Sequence, residues 1–181
     1  MPDGKRHEEI VRKYFELVRE LRTGVEGAPE RLVDMWDPEG TFEFAGSPPV
    51  TGTFTGINAI TVLYRNRFAA SGMPVMLQGN GKEERRKAGI EDALGVVDTD
   101  VHRMRALDDE RVVAGWTTTV GTREGRGYQV SGSHSFIFKG DKISSLRIVV
   151  SPKPEASEQF DASALSIDDI GRLSLAAWAV V

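Results

Sequence analysis

The chain has no cysteine and only three histidines, three tyrosines and three tryptophans in 181 residues. The missing thiols exclude disulfides, thiolate catalysis and cysteine-ligated zinc, while leaving the compartment open. No block of Lys and Arg is interleaved with aromatic residues, and the net charge of −4 with a pI near 5.5 is mild. Nothing here would track a phosphate backbone, so nucleic acid is not an expected partner. The opening residues are dense in charge (Lys5, Arg6, Glu8, Glu9, Arg12, Lys13) and lack the apolar centre of a signal peptide, which makes the cytoplasm the default location. The longest apolar stretch, 173–181, is far short of the roughly 20 residues that cross a bilayer, so no membrane span is expected.

What the chain does have is alternation. Over 128–138, Tyr128, Val130, His134, Phe136 and Phe138 fall on one side, and Gln129, Ser131, Ser133 and Ser135 on the other. That period belongs to a half-buried strand. A slip of one residue would exchange the faces, so the pattern commits His134 to the apolar side, where an imidazole needs either a partner or a task. His134 is the first candidate functional residue.

The length and a hydrophobic fraction of 40% suit one compact domain, 1–154, with a helical extension at 155–181 packed on it. After a mobile start, Ile10, Tyr14, Val18 and Leu21 recur at helical spacing. Gly24, Gly27 and Pro29 end that helix, and Pro29 suits the start of a short second one reaching Trp36. A turn at Asp37, Pro38 and Gly40 leads to a short strand, 41–44, with Phe42 and Phe44 on one face and Thr41 and Glu43 on the other. A hairpin or loop rich in Gly and Pro follows at 46–56, then a third helix at 57–68 through Ile60, Leu63, Tyr64 and Phe68.

Segment 78–95 spaces four glycines around a charged run and reads as an exposed, mobile excursion rather than a nucleotide loop. Four strands are then expected at 99–107, 111–122, 127–139 and 142–150, separated by turn residues, as an antiparallel meander. Helices first and a curled sheet second make an α+β domain with room for a pocket between the layers. Ser166 and Asp169 have capping-box spacing ahead of Ile170, Leu173, Ala177 and Trp178, which predicts the C-terminal helix.

Several stretches together, VRKYF, TFEF followed by GSPPVTG, INAITVLY, and SHSFIF leading to ISSLRIVV, resemble the ketosteroid isomerase and SnoaL-like branch of the nuclear transport factor 2 (NTF2)-like superfamily. The resemblance covers about residues 8–150; 78–98 and 155–181 exceed it. It implies a cone of strongly bent antiparallel sheet (a cystatin-like fold) wrapped around helices, a deep apolar cavity, no cofactor and a homodimer formed through the outer face of the sheet. It also implies an oxyanion hole at Tyr14, with Tyr64 hydrogen-bonded to it and His134 where ketosteroid isomerases carry an acid. The general base of those isomerases falls at or beside Phe44, with Glu43 on the opposite face, so steroid isomerisation is not expected. Other SnoaL-like enzymes place an acid/base near His134. The implied function is therefore acid/base chemistry of an isomerase, cyclase or dehydratase type on a small apolar carbonyl or hydroxyl compound. The alternative is a member that only binds a small ligand or dimerises.

Each of these residues also has a plainer reading. His134 could be a neutral core histidine, and Tyr14 a packed ring satisfied by one neighbour. Trp36, Phe44, Trp116, Tyr128 and Phe136 could line a pocket for the ligand or simply fill the core. Asp100, His102 and Met104 share one strand face by alternation; Asp100 and His102 with His134 could make a two-histidine, one-carboxylate set, but polar lining of the cavity is favoured and no metal is expected. His7 reads as solvated. The run Thr117 to Thr119 does not alternate cleanly, which suits a strand covered on both faces, as a dimer contact would make it.

Overall fold

The computed structural model describes residues 2–45, 52–69, 93–122 and 127–150. The expected helix at 155–181 and residues 78–92 of the insert lie outside the described residues. The elements are α1 (Pro2–Arg22), α2 (Ala28–Val33), β1 (Trp36–Ala45), β2 (Gly52–Thr55), α3 (Ile57–Ala69), β3 (Ala93–Ala106), β4 (Arg111–Thr122), β5 (Gly127–Lys139) and β6 (Lys142–Val150). The strands form one sheet in the order β2-β1-β6-β5-β4-β3. The meander from β3 to β6 follows the sequence expectation. The pairing of β1 with β6 is parallel while the others are antiparallel.

Along α1, Val11, Tyr14, Leu17, Val18 and Leu21 repeat at three- and four-residue spacing and are buried. This face packs across β3 and β4, while α3 packs across β1 and β2, so the helices cover one side of the sheet. That inner side carries Phe42, Phe44, Trp116, His134, Phe136 and Leu146, all buried. The outer side of β5 carries Ser131, Ser133 and Ser135, each half-buried. Alternation on β5 thus falls as its sequence pattern predicts. Asp108 closes the β3–β4 turn: its carboxyl accepts the backbone N–H of Glu110 and Arg111 at 3.0 and 2.8 Å, and Arg111 Nε at 2.6 Å. The Arg111 guanidinium, with those backbone donors, holds the carboxyl below the usual carboxylate range.

Three local expectations change. The chain start is helical from Pro2, and His7 is buried rather than solvated, because three consecutive side chains fasten it. Arg6 pairs with Asp141; His7 lies flat on Phe138 with ring centroids 4.2 Å apart and its Nε2 2.8 Å from the Gly140 carbonyl; Glu8 accepts the Ala106 N–H at 2.9 Å. Next, β3 begins at Ala93, inside the stretch expected to be an excursion, since β4 offers pairing partners as far as Thr122. Lastly, β1 begins at Trp36, with Pro38 tolerated where the register against β6 shifts between Trp36 and Thr41.

Trp116 on β4 faces Gly132 on β5. A Cβ at Gly132 would stand 2.2 Å from Trp116 Cζ2 and 2.5 Å from the Val149 carbonyl oxygen, so the indole lies directly over this glycine. Because neither a sheet carbonyl nor an enclosed indole can give way cheaply, Gly132→Ala is expected to lose roughly 1–3 kcal/mol in denaturant unfolding. An unchanged midpoint would contradict the placement of Trp116.

Candidate functional site

His134 is enclosed completely, at 0% exposure. On β5 it stands opposite Ala114 of β4 and Ile148 of β6. Among the described residues, four aromatic rings lie around it. Phe15 meets it edge-on at a centroid distance of 4.9 Å, Phe136 lies nearly parallel at 5.8 Å, and Trp116 and Tyr14 are each 6.1 Å away. Of these four, Phe15 alone is half-buried; the others are buried. Phe15 is therefore the member of the enclosure nearest to solvent.

A directional hydrogen-bond chain runs past the same place. Trp36 Nε1, at the start of β1, donates to Tyr64 Oη on α3 at 3.2 Å, and Tyr64 Oη donates to Tyr14 Oη on α1 at 3.3 Å. The indole only donates, so Tyr64 Oη is the acceptor in the first bond. Tyr64 in turn donates to Tyr14. Three elements thus converge on the Tyr14 phenol, whose ring lies beside the imidazole. Trp36 enters the site as the head of this chain, a role its place among pocket-lining aromatics did not reveal.

Other candidate residues fall in different places. Phe44 is buried on the inner face at 2% exposure, and Glu43 points outward, 3.4 Å from Arg147 Nε. Among the described residues, the buried polar or charged side chains are His7 and His134, so no buried carboxylate accompanies the site. Asp100 and His102 do not share a face with Met104. Arg103 has φ 54, and two residues of β3, Arg103 and Met104, stand against Ala114 alone, which is a bulge. The extra residue turns Met104 to the core side and leaves Asp100, opposite Thr117, and His102, opposite Gly115, on the outer side. There His102 Nε2 lies 3.2 Å from Thr117 Oγ1, which lies 3.2 Å from Ser131 Oγ. A bulge therefore separates both residues from His134, and no cluster of three metal-ligating side chains occurs among the described residues. The side chain of Tyr128 lies outside the described residues.

Trp116 carries a feature that residue spacing could not show. Its indole Nε1 is buried and has no hydrogen-bond partner. A buried donor left in this state costs about 1–3 kcal/mol.

No protein-family model and no curated protein matches the sequence. Solved structures do match in three dimensions. A SnoaL-like candidate polyketide cyclase from Jannaschia sp. CCS1 superposes with a TM-score of 0.52 at 12% identity, over 83% of this chain and 89% of that one. An NTF2-like protein from Exiguobacterium sp. 255-15 gives 0.50 at 17% identity, over 78% of this chain and 98% of its own. Bal32a, from a soil-derived mobile gene cassette, gives 0.50 at 16%, over 82% and 91%. The chain has the NTF2-like fold. In this NTF2-like framework the curved sheet and the three helices bring Tyr14, Tyr64, Trp36 and His134 to one region, whereas the bulge sends Asp100 and His102 away from it.

Removing the middle of the relay should hurt more than removing its end. Tyr64→Phe strands the Trp36 N–H and is expected to cost about 1–3 kcal/mol, whereas Tyr14→Phe leaves the Trp36–Tyr64 bond intact and should cost less. Urea unfolding of both variants decides it; equal losses would show that the two links do not act in series.

Proposed function

We propose that the chain is a SnoaL-like small-molecule enzyme that moves a proton on an apolar carbonyl or hydroxyl compound without a cofactor. In this reading His134 transfers the proton, and Tyr14, oriented by Tyr64 and Trp36, donates to the oxygen on which negative charge develops. The observation that carries it is the placement of the Tyr14 phenol, bonded to Tyr64 and through it to Trp36, beside a buried imidazole. The aromatic enclosure suits an apolar substrate body, and Phe15 would have to yield for it to enter. The resemblance puts the isomerases' base at or beside Phe44, a buried phenyl ring, and this supports placing the acid/base role on His134.

The same site favours a second reading, a binding protein without catalysis, on the ground that Glu43 is tied outward to Arg147 and no buried carboxylate assists the imidazole among the described residues. Under either reading the protein works in the cytoplasm. Among the described residues no helix is long and apolar enough to cross a membrane.

Deuterium uptake next to the carbonyl of 2-tetralone, an apolar bicyclic ketone, separates the two. The wild-type protein is expected to accelerate exchange, and His134→Ala to reduce the acceleration by about 10²–10⁴, the usual worth of a general acid/base. A reduction below about tenfold would remove His134 from that role, and binding of the ketone without any exchange would favour the second reading.

The proposal extends to a homodimer through the outer sheet face. That face carries Ser131, Ser133 and Ser135 beside the Glu43–Arg147 pair, Asp100 and His102, with Ile137 and Val149 each 41% exposed on it. Sedimentation equilibrium should give twice the chain mass for the wild type and the single mass for Ile137→Asp combined with Val149→Asp. A wild type at the single mass throughout the micromolar range would refute the dimer.

A further inference from the structure

Neither the relay nor the proton-transfer step uses the indole Nε1 of Trp116. It is buried, it has no partner, and its ring is fixed from two sides. Gly132 lies under the six-membered ring, close enough that any Cβ there would collide with it, and His134 meets the indole edge-on at 6.1 Å. A ring held this way cannot rotate to find an acceptor of its own. Nor is one on hand: the described residues put no buried carboxylate, amide or hydroxyl side chain on this face apart from the tyrosines of the relay.

We propose that Trp116 is a specificity-determining residue whose N–H takes a second oxygen of the ligand, one distinct from the oxygen held by Tyr14. This rests on the reading of the inner face as a small-molecule site. Tyr14 and Trp116 both flank His134, so a ligand placed against the imidazole meets a donor from α1 and another from β4. An indole N–H only donates. The second oxygen is therefore an acceptor that needs no acceptor in return: an ether, an ester or a second carbonyl rather than an ammonium or amine. The ligand class is an apolar, flat ketone carrying an additional acceptor oxygen, and a compound with a methylene in that place leaves the indole donor unsatisfied and is rejected.

Three methoxy-substituted 2-tetralones, with the oxygen on carbon 5, 6 or 7 of the aromatic ring, and their ethyl counterparts test this by titration against the full chain. Two-dimensional nitrogen–proton spectra follow the tryptophan indole signals, with that of Trp116 assigned from its absence in Trp116→Phe. The expected result is that at least one methoxy compound binds about tenfold more tightly than its ethyl counterpart, moves the Trp116 indole proton downfield, and loses that preference in Trp116→Phe. The indole proton of Trp36, already bonded to Tyr64, serves as the internal reference. If Trp116→Phe does not fold, the Trp116 signal is assigned by elimination from Trp36→Phe and Trp178→Phe, and the wild-type spectrum is then decisive. Equal binding of every methoxy and ethyl pair, with the Trp116 proton unmoved, overturns the role of Trp116 and leaves the small-molecule site standing. Failure of all six compounds and of 2-tetralone itself to bind overturns both.

Discussion

An imidazole on the apolar face of a sheet constrains everything packed against it. His134 arrives there because β5 alternates serine with aromatic residues, and alternation admits no compromise: if Phe136 and Phe138 are to be buried, so is His134. The rest of the inner face follows from that placement. Ala114 keeps the facing position on β4 small, Phe15 and Tyr14 come down from α1, and Trp116 closes the far side by lying over a residue with no side chain. The pinned start of α1 matters for the same reason. Arg6, His7 and Glu8 fasten its first turns to the β5–β6 turn and to the end of β3, which fixes the rotation that points Tyr14 and Phe15 at the imidazole.

Much of this was legible before any coordinates, and for a definable reason. Period-two alternation on β5 and on Thr41 to Phe44, and the three- and four-residue repeat of α1, are local patterns with one geometric solution, so the burial of His134 and Phe44 and the outward turn of Glu43 could be read from them. The pairing of Tyr14 with Tyr64 came instead from the family resemblance, since 50 residues separate the two phenols and no local pattern joins them. What stayed hidden depends on contacts made elsewhere. Alternation failed on β3 because a single residue, Arg103, adopts φ 54 and adds one position against β4; nothing in DVHRMRA announces this. His7 looked solvated because its neighbours in sequence are charged, yet its ring finds Phe138, 131 positions away.

The relay also shows why side-chain identity alone understated Trp36 and Trp116. Both read as large apolar residues on a buried face, and their rings do fill the core. Their N–H groups have opposite fates: one finds Tyr64 and starts a chain, the other finds nothing. Position in a strand predicts the first property of a tryptophan, its burial, but the second depends on the few ångströms between one indole edge and whatever the fold brings near it.

Taken together, the polar groups of the inner face have a consistent sign. Trp36, Tyr64 and Tyr14 pass hydrogen-bond donation in one direction, and Trp116 adds a further donor. No buried carboxylate opposes them among the described residues, since Phe44 occupies the inward position on β1 and Glu43 is held outside by Arg147. Aligned donors in a dry enclosure create a positive potential that water would otherwise screen, and they do so without reorganising when negative charge appears. Such a face attracts oxygen atoms and grows more favourable as those oxygens gain charge. A carboxylate in the position of Phe44 would cancel part of that field, and this is why the proposed acid/base role falls to the imidazole rather than to a residue of β1.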